Sequence, residues 1–546
     1  MIQIYKKRTV LIFFFFCFCY VIVISNLVYL QLIYHSFFTQ LGQKQYYITI
    51  TSFPSRAPII DRTGKNFLAI NKDSLAAFIL PRQLENKPAL EKFLASHFPH
   101  ALERLHTHPN AHFLYVHRKL TPHHIGLITK SGITDIKFLT EPNRFYPNTS
   151  SAALIGITDI DNKGLFGLEF QFDQQLAGLP STVMLEKDAR SNHFYFKKET
   201  SHEGFSPKPL QLTIDSDLQF LAYEALQETV IKFGAKEGAA IIIDPNNGDI
   251  LAMTNFPLFN PNDFIQTDLT ITKNTPVTEA YELGSVCKIC SALAALQEGV
   301  VGPEELIDCK NVATIFLDGR KINTVNSSVA GIIPFKEVIA KSNNIGIAQV
   351  AQRLGTKLYD HYCKLGFGKK TGIPFPGENK GFVNPPESWS KQSIISLSYG
   401  YEVSANLLQL ARAFCIIANG GYWIDPQLIL DTSRVTKKEK IYSDESIAII
   451  KDILEQTTCL GTARKAQIKG YCIMCKTGTA NMLENGHYNP DKNIFTCAGI
   501  VQKDTYQRVI VVFIKEVAQK NLYASTVAAP LFEQIAEKIL IKDRIN

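Results

Sequence analysis

Three short runs in this chain carry groups that could act together on one substrate. In Tyr281-Glu282-Leu283-Gly284-Ser285-Val286-Cys287-Lys288 a hydroxyl and an amine stand three residues apart, and the apolar stretch Ile289 to Leu296 follows before a stop at Gly299. Ser285 therefore opens a helix, and because positions three apart share a helical face, Lys288 comes up beside its hydroxyl. No charged residue follows Lys288 until Glu298. A lysine set among apolar and thiol side chains loses hydration, which disfavours the ammonium and frees a neutral amine to take the serine proton. Ser285 is the candidate nucleophile and Lys288 the candidate base. Taken alone, Ser-x-x-Lys is weak evidence, since its ordinary meaning is a solvated pair on a helix surface.

The second run is Lys341-Ser342-Asn343-Asn344 after the helical pattern Val338-Ile339-Ala340, with Ser342 and Asn344 as candidate catalytic residues. Alone it could be a helix-ending turn. The third is Lys476-Thr477-Gly478-Thr479-Ala480, read as the end of an apolar strand Tyr471 to Cys475. There Lys476, Thr477, Gly478 and Thr479 are candidate substrate-binding residues, with Gly478 permitting a substrate backbone to approach the strand edge. In the order Ser-x-x-Lys, Ser-x-Asn, Lys-Thr-Gly, each on its expected element, the three resemble the signature of penicillin-binding proteins and class A β-lactamases.

The elements that must hold these runs are legible in outline. An Asp215 or Ser216 cap precedes the helical pattern Leu218, Leu221, Ala222, Ala225 and Leu226. Gly238 to Asp244 reads as a strand, Asn247-Gly248 as a hairpin turn, and Ile250 to Met253 as the returning strand. Further strands are expected at Gly470 to Cys475, Phe495 to Val501 and Val509 to Ile514, with a closing helix from Val527 to Ile541. Strands at both ends around a helical middle imply an α+β fold, an antiparallel sheet covered by helices.

With 546 residues, 46% hydrophobic and 20% charged, the chain is neither disordered nor a polytopic membrane protein, and its length suits two or three units. The net charge of +7 is modest, and the one dense basic run beyond the N-terminus, Arg434 to Lys440, reads as a solvated loop, so no nucleic-acid partner is expected. Eleven cysteines are too sparse for a disulfide scaffold, and buried reduced thiols are expected. From Thr9 to Ser36 there is no Lys, Arg, Asp or Glu, which suffices for one membrane-spanning helix, and Lys6, Lys7 and Arg8 before it place the N-terminus in the cytoplasm. A cleaved signal peptide is the competing reading, against which stand the length of the run and the missing small-residue cleavage site. The expected organisation is a cytoplasmic N-terminus at 1–8, an anchor at 9–34, a non-catalytic domain at 45–205 and a catalytic domain at 210–542, outside the membrane.

Over nearly its whole length the chain resembles the class B penicillin-binding proteins, monofunctional transpeptidases with one membrane anchor. Arg56-Ala57-Pro58-Ile59-Ile60-Asp61-Arg62-Thr63-Gly64, Asn143-Arg144-Phe145-Tyr146-Pro147 and Gly156 to Glu169 are similar to motifs of their extended, mixed pedestal domain. Asp161-Asn162-Lys163-Gly164-Leu165, Tyr281-Glu282 and Ser398-Tyr399-Gly400-Tyr401-Glu402 resemble the division type more than the elongation type. The resemblance implies a five-stranded transpeptidase sheet plus an all-helical subdomain, in a protein of the bacterial inner membrane with its catalytic domain periplasmic. It implies acylation of Ser285 by a peptidoglycan stem pentapeptide, with Ser342 relaying a proton and Asn344 orienting Lys288 and the substrate amide. Lys476, Thr477 and Thr479 would hold the terminal carboxylate, and the backbone N–H groups of Ser285 and Thr479 the oxyanion. Implied ligands and partners are β-lactams, a polytopic glycosyltransferase and other division proteins, with no cofactor and no metal. Leu283, Cys475 and Ser404-Ala405-Asn406 depart from the usual residues at their positions, which bears on pocket shape.

Rival readings share some of these residues. Cys287 with Cys290 and Cys472 with Cys475 have zinc-type spacing, but one pair falls on a helix and the other on a strand whose positions three apart face opposite ways. Eight histidines between His97 and His124 lack metal-binding spacing and read as surface residues. A D,D-carboxypeptidase or β-lactamase would use the same groups with water as acceptor. A penicillin receptor or a non-catalytic division scaffold would only bind.

Overall fold

The computed structural model describes residues 2–545 apart from 53, 188–193, 203, 265–267, 326–327, 432, 434–438 and 485. Most of the basic run, Arg434 to Lys438, lies outside the described residues. The chain divides into two compact units, one of residues 1–56 with 177–207 and one of 57–176 with 208–546.

In the smaller unit, helix α1 (Ile2–Val28) runs into a π-helical turn at Tyr29–Ile33. The stretch Lys6–Ile33 is long and apolar enough to cross a membrane, and none of it is buried against protein. Side chains such as Phe13 to Phe16, all more than half exposed, call for a hydrocarbon surround. Strands Tyr47–Ser52, Ser181–Lys187 and Phe194–His202 form an antiparallel sheet with Ser181–Lys187 in the middle.

In the larger unit, residues 57–176 are built on the long strand Phe67–Ile79, which pairs antiparallel with Lys137–Phe145 from Ile70 opposite Phe145 to Phe78 opposite Lys137. Arg144 and Glu169 meet there as a fully buried ion pair at 2.6 Å. Asn262 receives the backbone N–H of Tyr146 at 3.0 Å and donates to its carbonyl at 2.9 Å, tying this segment to the chain beyond 208.

Beyond residue 208 the chain continues with α2 (Ser216–Phe233), capped by the Asp215 carboxylate, which accepts from the N–H groups of Asp217 and Leu218 at 3.1 Å each. Next come β1 (Glu237–Ile243), β2 (Ile250–Phe256), α3 (Lys288–Gln297) and α4 (Asn344–Leu354). The chain returns to the sheet with β3 (Cys472–Glu484), β4 (His487–Lys503) and β5 (Tyr506–Lys515), then closes with α5 (Ala524–Lys542). The sheet order is β2-β1-β5-β4-β3, antiparallel throughout. On β5, Val509, Val511 and Phe513 face the large core that contains α3. Ile510, Val512 and Ile514 face the core shared with α2 and α5. Burial on both faces is why the strand reads as an unbroken apolar run. From Lys288 to Leu296 every residue of α3 is buried, as expected of a helix apolar on all sides.

One expected boundary is corrected. Lys476 to Thr479 sit in the interior of β3, paired opposite Ala498, Cys497, Thr496 and Phe495. The apolar pattern stops at Cys475 because the side chains that follow meet a cleft and polar partners, while the backbone ladder continues to Glu484.

Candidate active site

Ser285 stands in a tight 3-10 turn, Gly284–Cys287, that winds directly into α3. The turn lies against β3 at backbone distance. A Cβ on Gly478 would fall 2.5 Å from the Leu283 carbonyl oxygen and 2.9 Å from Val286 N. The backbone admitted by Gly478 is thus that of the serine turn, where a substrate backbone was expected. Gly284 has φ +57° and faces the Thr479 carbonyl oxygen, with room for no side chain.

A cleft of about 480 Å³ opens in front of this turn, and Ser285, Ser342, Asn344, Thr477 and Thr479 all line it. Lys288 and Lys476 lie beneath the lining with no solvent exposure. Lys288 Nζ is 2.7 Å from the Ser342 carbonyl oxygen and 3.0 Å from Ser342 Oγ. Lys476 Nζ approaches the same Oγ at 3.0 Å and donates to the Thr477 carbonyl at 2.9 Å. One hydroxyl therefore bridges two buried amines. Ser342 is held there at φ +56°, a left-handed conformation unusual for a residue with a side chain. Its turn follows the helix Phe335–Ala340 and precedes α4, whose first N–H groups are capped by Asn343 accepting from Gly346 N at 2.9 Å.

Burial removes hydration from both ammonium groups, and no carboxylate pairs with either among the described residues. Lys288 is driven well below the ordinary lysine range, first by desolvation and then by the charge of Lys476. Desolvation also lowers Lys476, to about 8. Both shifts favour the neutral amine, that of Lys288 the more strongly, and the two nitrogens are joined through Ser342 Oγ.

The remaining candidates are placed less simply. Ser285 Oγ makes no hydrogen bond among the described residues. Asn344 does not bond to Lys288: its Nδ2 donates to the Asn323 carbonyl at 2.5 Å, and its Oδ1 is buried without a partner. Thr477 Oγ1 donates to Thr462 Oγ1 at 3.0 Å, and Thr479 Oγ1 accepts from Ala524 N at the start of α5, also at 3.0 Å.

The family model described as the penicillin binding protein transpeptidase domain matches residues 238–537. The chain belongs to this family. It is 30% identical over 525 residues to the probable peptidoglycan D,D-transpeptidase PbpC of Pseudomonas aeruginosa, spanning 94% of this chain and 91% of that one. Peptidoglycan D,D-transpeptidase FtsI of Escherichia coli K12 is 29% identical over 499 residues, with 89% and 83% covered. Among solved structures, penicillin binding protein 3 of Mycobacterium tuberculosis in complex with aztreonam superposes with a TM-score of 0.68 at 25% identity, covering 91% of this chain and 98% of that one. The class B assignment holds across the chain, and the fold is that of its penicillin-binding relatives.

As a class B penicillin-binding protein, the chain has further cleft residues that sequence reasoning missed. Tyr399, Tyr401 and Tyr488 line one wall, with ring centroids 5.8 Å apart for the first two and 4.9 Å for Tyr401 with Tyr488. Glu282, on the short strand Tyr281–Glu282 just before the Ser285 turn, accepts from Glu402 N at 2.8 Å and from the Tyr488 hydroxyl at 3.2 Å. Tyr281-Glu282 and Tyr401-Glu402 had stood out only as cues to a subtype. Arg320, Lys321 and Asn323 reach the cleft on the hairpin Thr314–Leu317 with Arg320–Asn323. Its Asp318-Gly319 turn is a hairpin signal, but nothing local tells which site the hairpin serves.

Proposed function

We propose that this chain is a peptidoglycan D,D-transpeptidase of septal wall synthesis, a single-pass protein of the bacterial cytoplasmic membrane. Its N-terminus is cytoplasmic and its catalytic domain, from about residue 210 to 542, works outside on a non-catalytic pedestal. The observation that carries the activity is Ser342 Oγ bridging the buried amines of Lys288 and Lys476 in the cleft that Ser285 lines.

Ser285 Oγ attacks the carbonyl carbon of the penultimate D-alanine while Lys288 Nζ takes its proton. The backbone N–H groups of Ser285 and Thr479 receive the oxyanion, where one donor is worth about 3 kcal/mol. As the C–N bond breaks, Ser342 passes its hydroxyl proton to the leaving D-alanine amine and recovers one from Lys288 across 3.0 Å. Thr477, Thr479 and the charge of Lys476 hold the terminal carboxylate, and the partnerless Oδ1 of Asn344 accepts a substrate N–H. The amine of a second stem peptide then takes the acyl group by the reverse sequence. This route needs no metal or cofactor. β-Lactams acylate the same serine.

Ser285→Ala is expected to abolish covalent labelling by a fluorescent penicillin, and full labelling of that variant overturns the assignment. A long-lived adduct in the unaltered protein separates a transpeptidase from a β-lactamase, which turns penicillin over. The septal role, with a polytopic glycosyltransferase and other division proteins as partners, is supported by likeness to the division-type motifs. Depletion should give filamentous cells, and rounded cells would reassign the chain to elongation.

A further inference from the structure

We propose that Lys321 selects stem peptides carrying a second carboxylate besides the terminal one, an inference that rests on the transpeptidase reading and sharpens its substrate. The charged side chains that line the cleft itself, Arg320 and Lys321, are cations, while the Glu282 carboxylate is bonded to the Tyr488 hydroxyl and that of Glu402 lies 3.9 Å from Arg320. Lys288 and Lys476 lie just beneath. A concave site with Arg320 and Lys321 on its wall and Lys476 under its floor favours an anionic ligand and repels a cationic one.

The two wall cations differ in what they already hold. Arg320 donates to Ser396 Oγ, lies 3.9 Å from the Glu402 carboxylate and sits over the Tyr399 ring at 5.8 Å. Lys321 is exposed in the cleft and has no hydrogen bond or ion pair among the described residues. An exposed lysine is ordinarily just solvated. This one is fixed on a paired strand opposite Phe316, beside a second cation, in the cleft that must hold the donor peptide. The terminal carboxylate is taken by Thr477 and Thr479, so the residues before the scissile bond fill the rest of the cleft, where Lys321 is the free charge. A stem peptide can supply the matching anion from two places: the α-carboxylate of a γ-linked D-glutamate at its second position, or the side-chain carboxylate of a diamino diacid at its third. The shared chemistry is a carboxylate forming a charge-assisted hydrogen bond with an ammonium.

The test uses the full chain in detergent, with active sites counted by fluorescent penicillin. D-alanine release is measured from three synthetic pentapeptides: both inner carboxylates free, the second-position one amidated, and the third-position one amidated. One of the two amides should lower kcat/KM about tenfold, the worth of one charged hydrogen bond, and thereby name the source. Lys321→Gln should erase that preference, Lys321→Arg should keep it, and added salt should shrink it in the unaltered chain. Equal rates on all three peptides, or a preference that survives Lys321→Gln, overturn this proposal and leave the transpeptidase reading standing. Absence of both D-alanine release and penicillin labelling overturns the two together.

Discussion

Two pairs of charged side chains are fully buried in the larger unit, and they have opposite characters. Arg144 and Glu169 face each other at 2.6 Å, cation to carboxylate, in the segment before the catalytic sheet. Lys288 and Lys476 are two amines that share one serine hydroxyl, with no carboxylate paired to either among the described residues. Unlike charges attract, so the first pair works as a bolt. Burial lowers both lysines, and Lys288 is lowered further by the charge of Lys476, which suits the base and the field that we propose. Burial costs hydration in both places; the sign of the neighbour decides whether the result is cohesion or reactivity.

The largest effect should separate the two roles outright. Lys288→Met removes the base and should slow acylation by a fluorescent penicillin about 10³-fold, within the range for loss of a general base, while the urea midpoint stays level or rises. A rate near that of the unaltered chain, or a collapsed midpoint, would break the contrast. Next, Glu169→Gln leaves a buried guanidinium unpaired and should destabilise the unit by about 3–5 kcal/mol in urea unfolding. Arg144→Met with Glu169→Leu should recover most of that loss, because the apolar pair has no charge to desolvate. Recovery failing in the double variant would mean that the pair acts through some contact other than its charges.

The smallest effect is on pH. Acylation should climb with pH as Lys288 loses its proton and decline above about 8, where Lys476 loses its charge. Both amines have folded values below the 10.5 of the unfolded chain, so the unfolded state binds more protons in that interval. For Lys476 the cost of burial is therefore present in full below about 8 and relieved as pH rises from there toward 10.5, giving a rising urea midpoint over that window. Lys476→Met should flatten that rise, whereas Glu169→Gln should not. An unchanged slope in Lys476→Met would remove the lysine from the account.

How much of this could be read beforehand follows from the range of each interaction. Ser285 and Lys288 are three residues apart, so the turn they share is local and visible in the residues themselves, whereas the bonding of the Lys288 amine to Ser342 is not. The order of elements around the five-stranded sheet was visible for the same reason, in apolar runs and caps. The extent of β3 was not, because Thr477 and Thr479 look like the end of a core strand while the backbone pairing runs through them to Glu484. The turning of Asn344 toward Asn323, the seating of Lys321 in the cleft and the meeting of Arg144 with Glu169 were also hidden. Each depends on residues 20 or more positions apart being brought together by tertiary packing, which leaves no mark on local pattern.

The fit between Gly478 and the serine turn has a consequence for how such a protein can drift under antibiotic pressure. The gap between nucleophile and strand is set by the Leu283 carbonyl, Val286 N and a residue with no side chain. Neighbouring side chains can change identity without resetting that spacing, which is why Leu283 and Cys475 are compatible with an intact site. Substitutions on the tyrosine wall or the 314–323 hairpin therefore change what the cleft meets without touching that spacing.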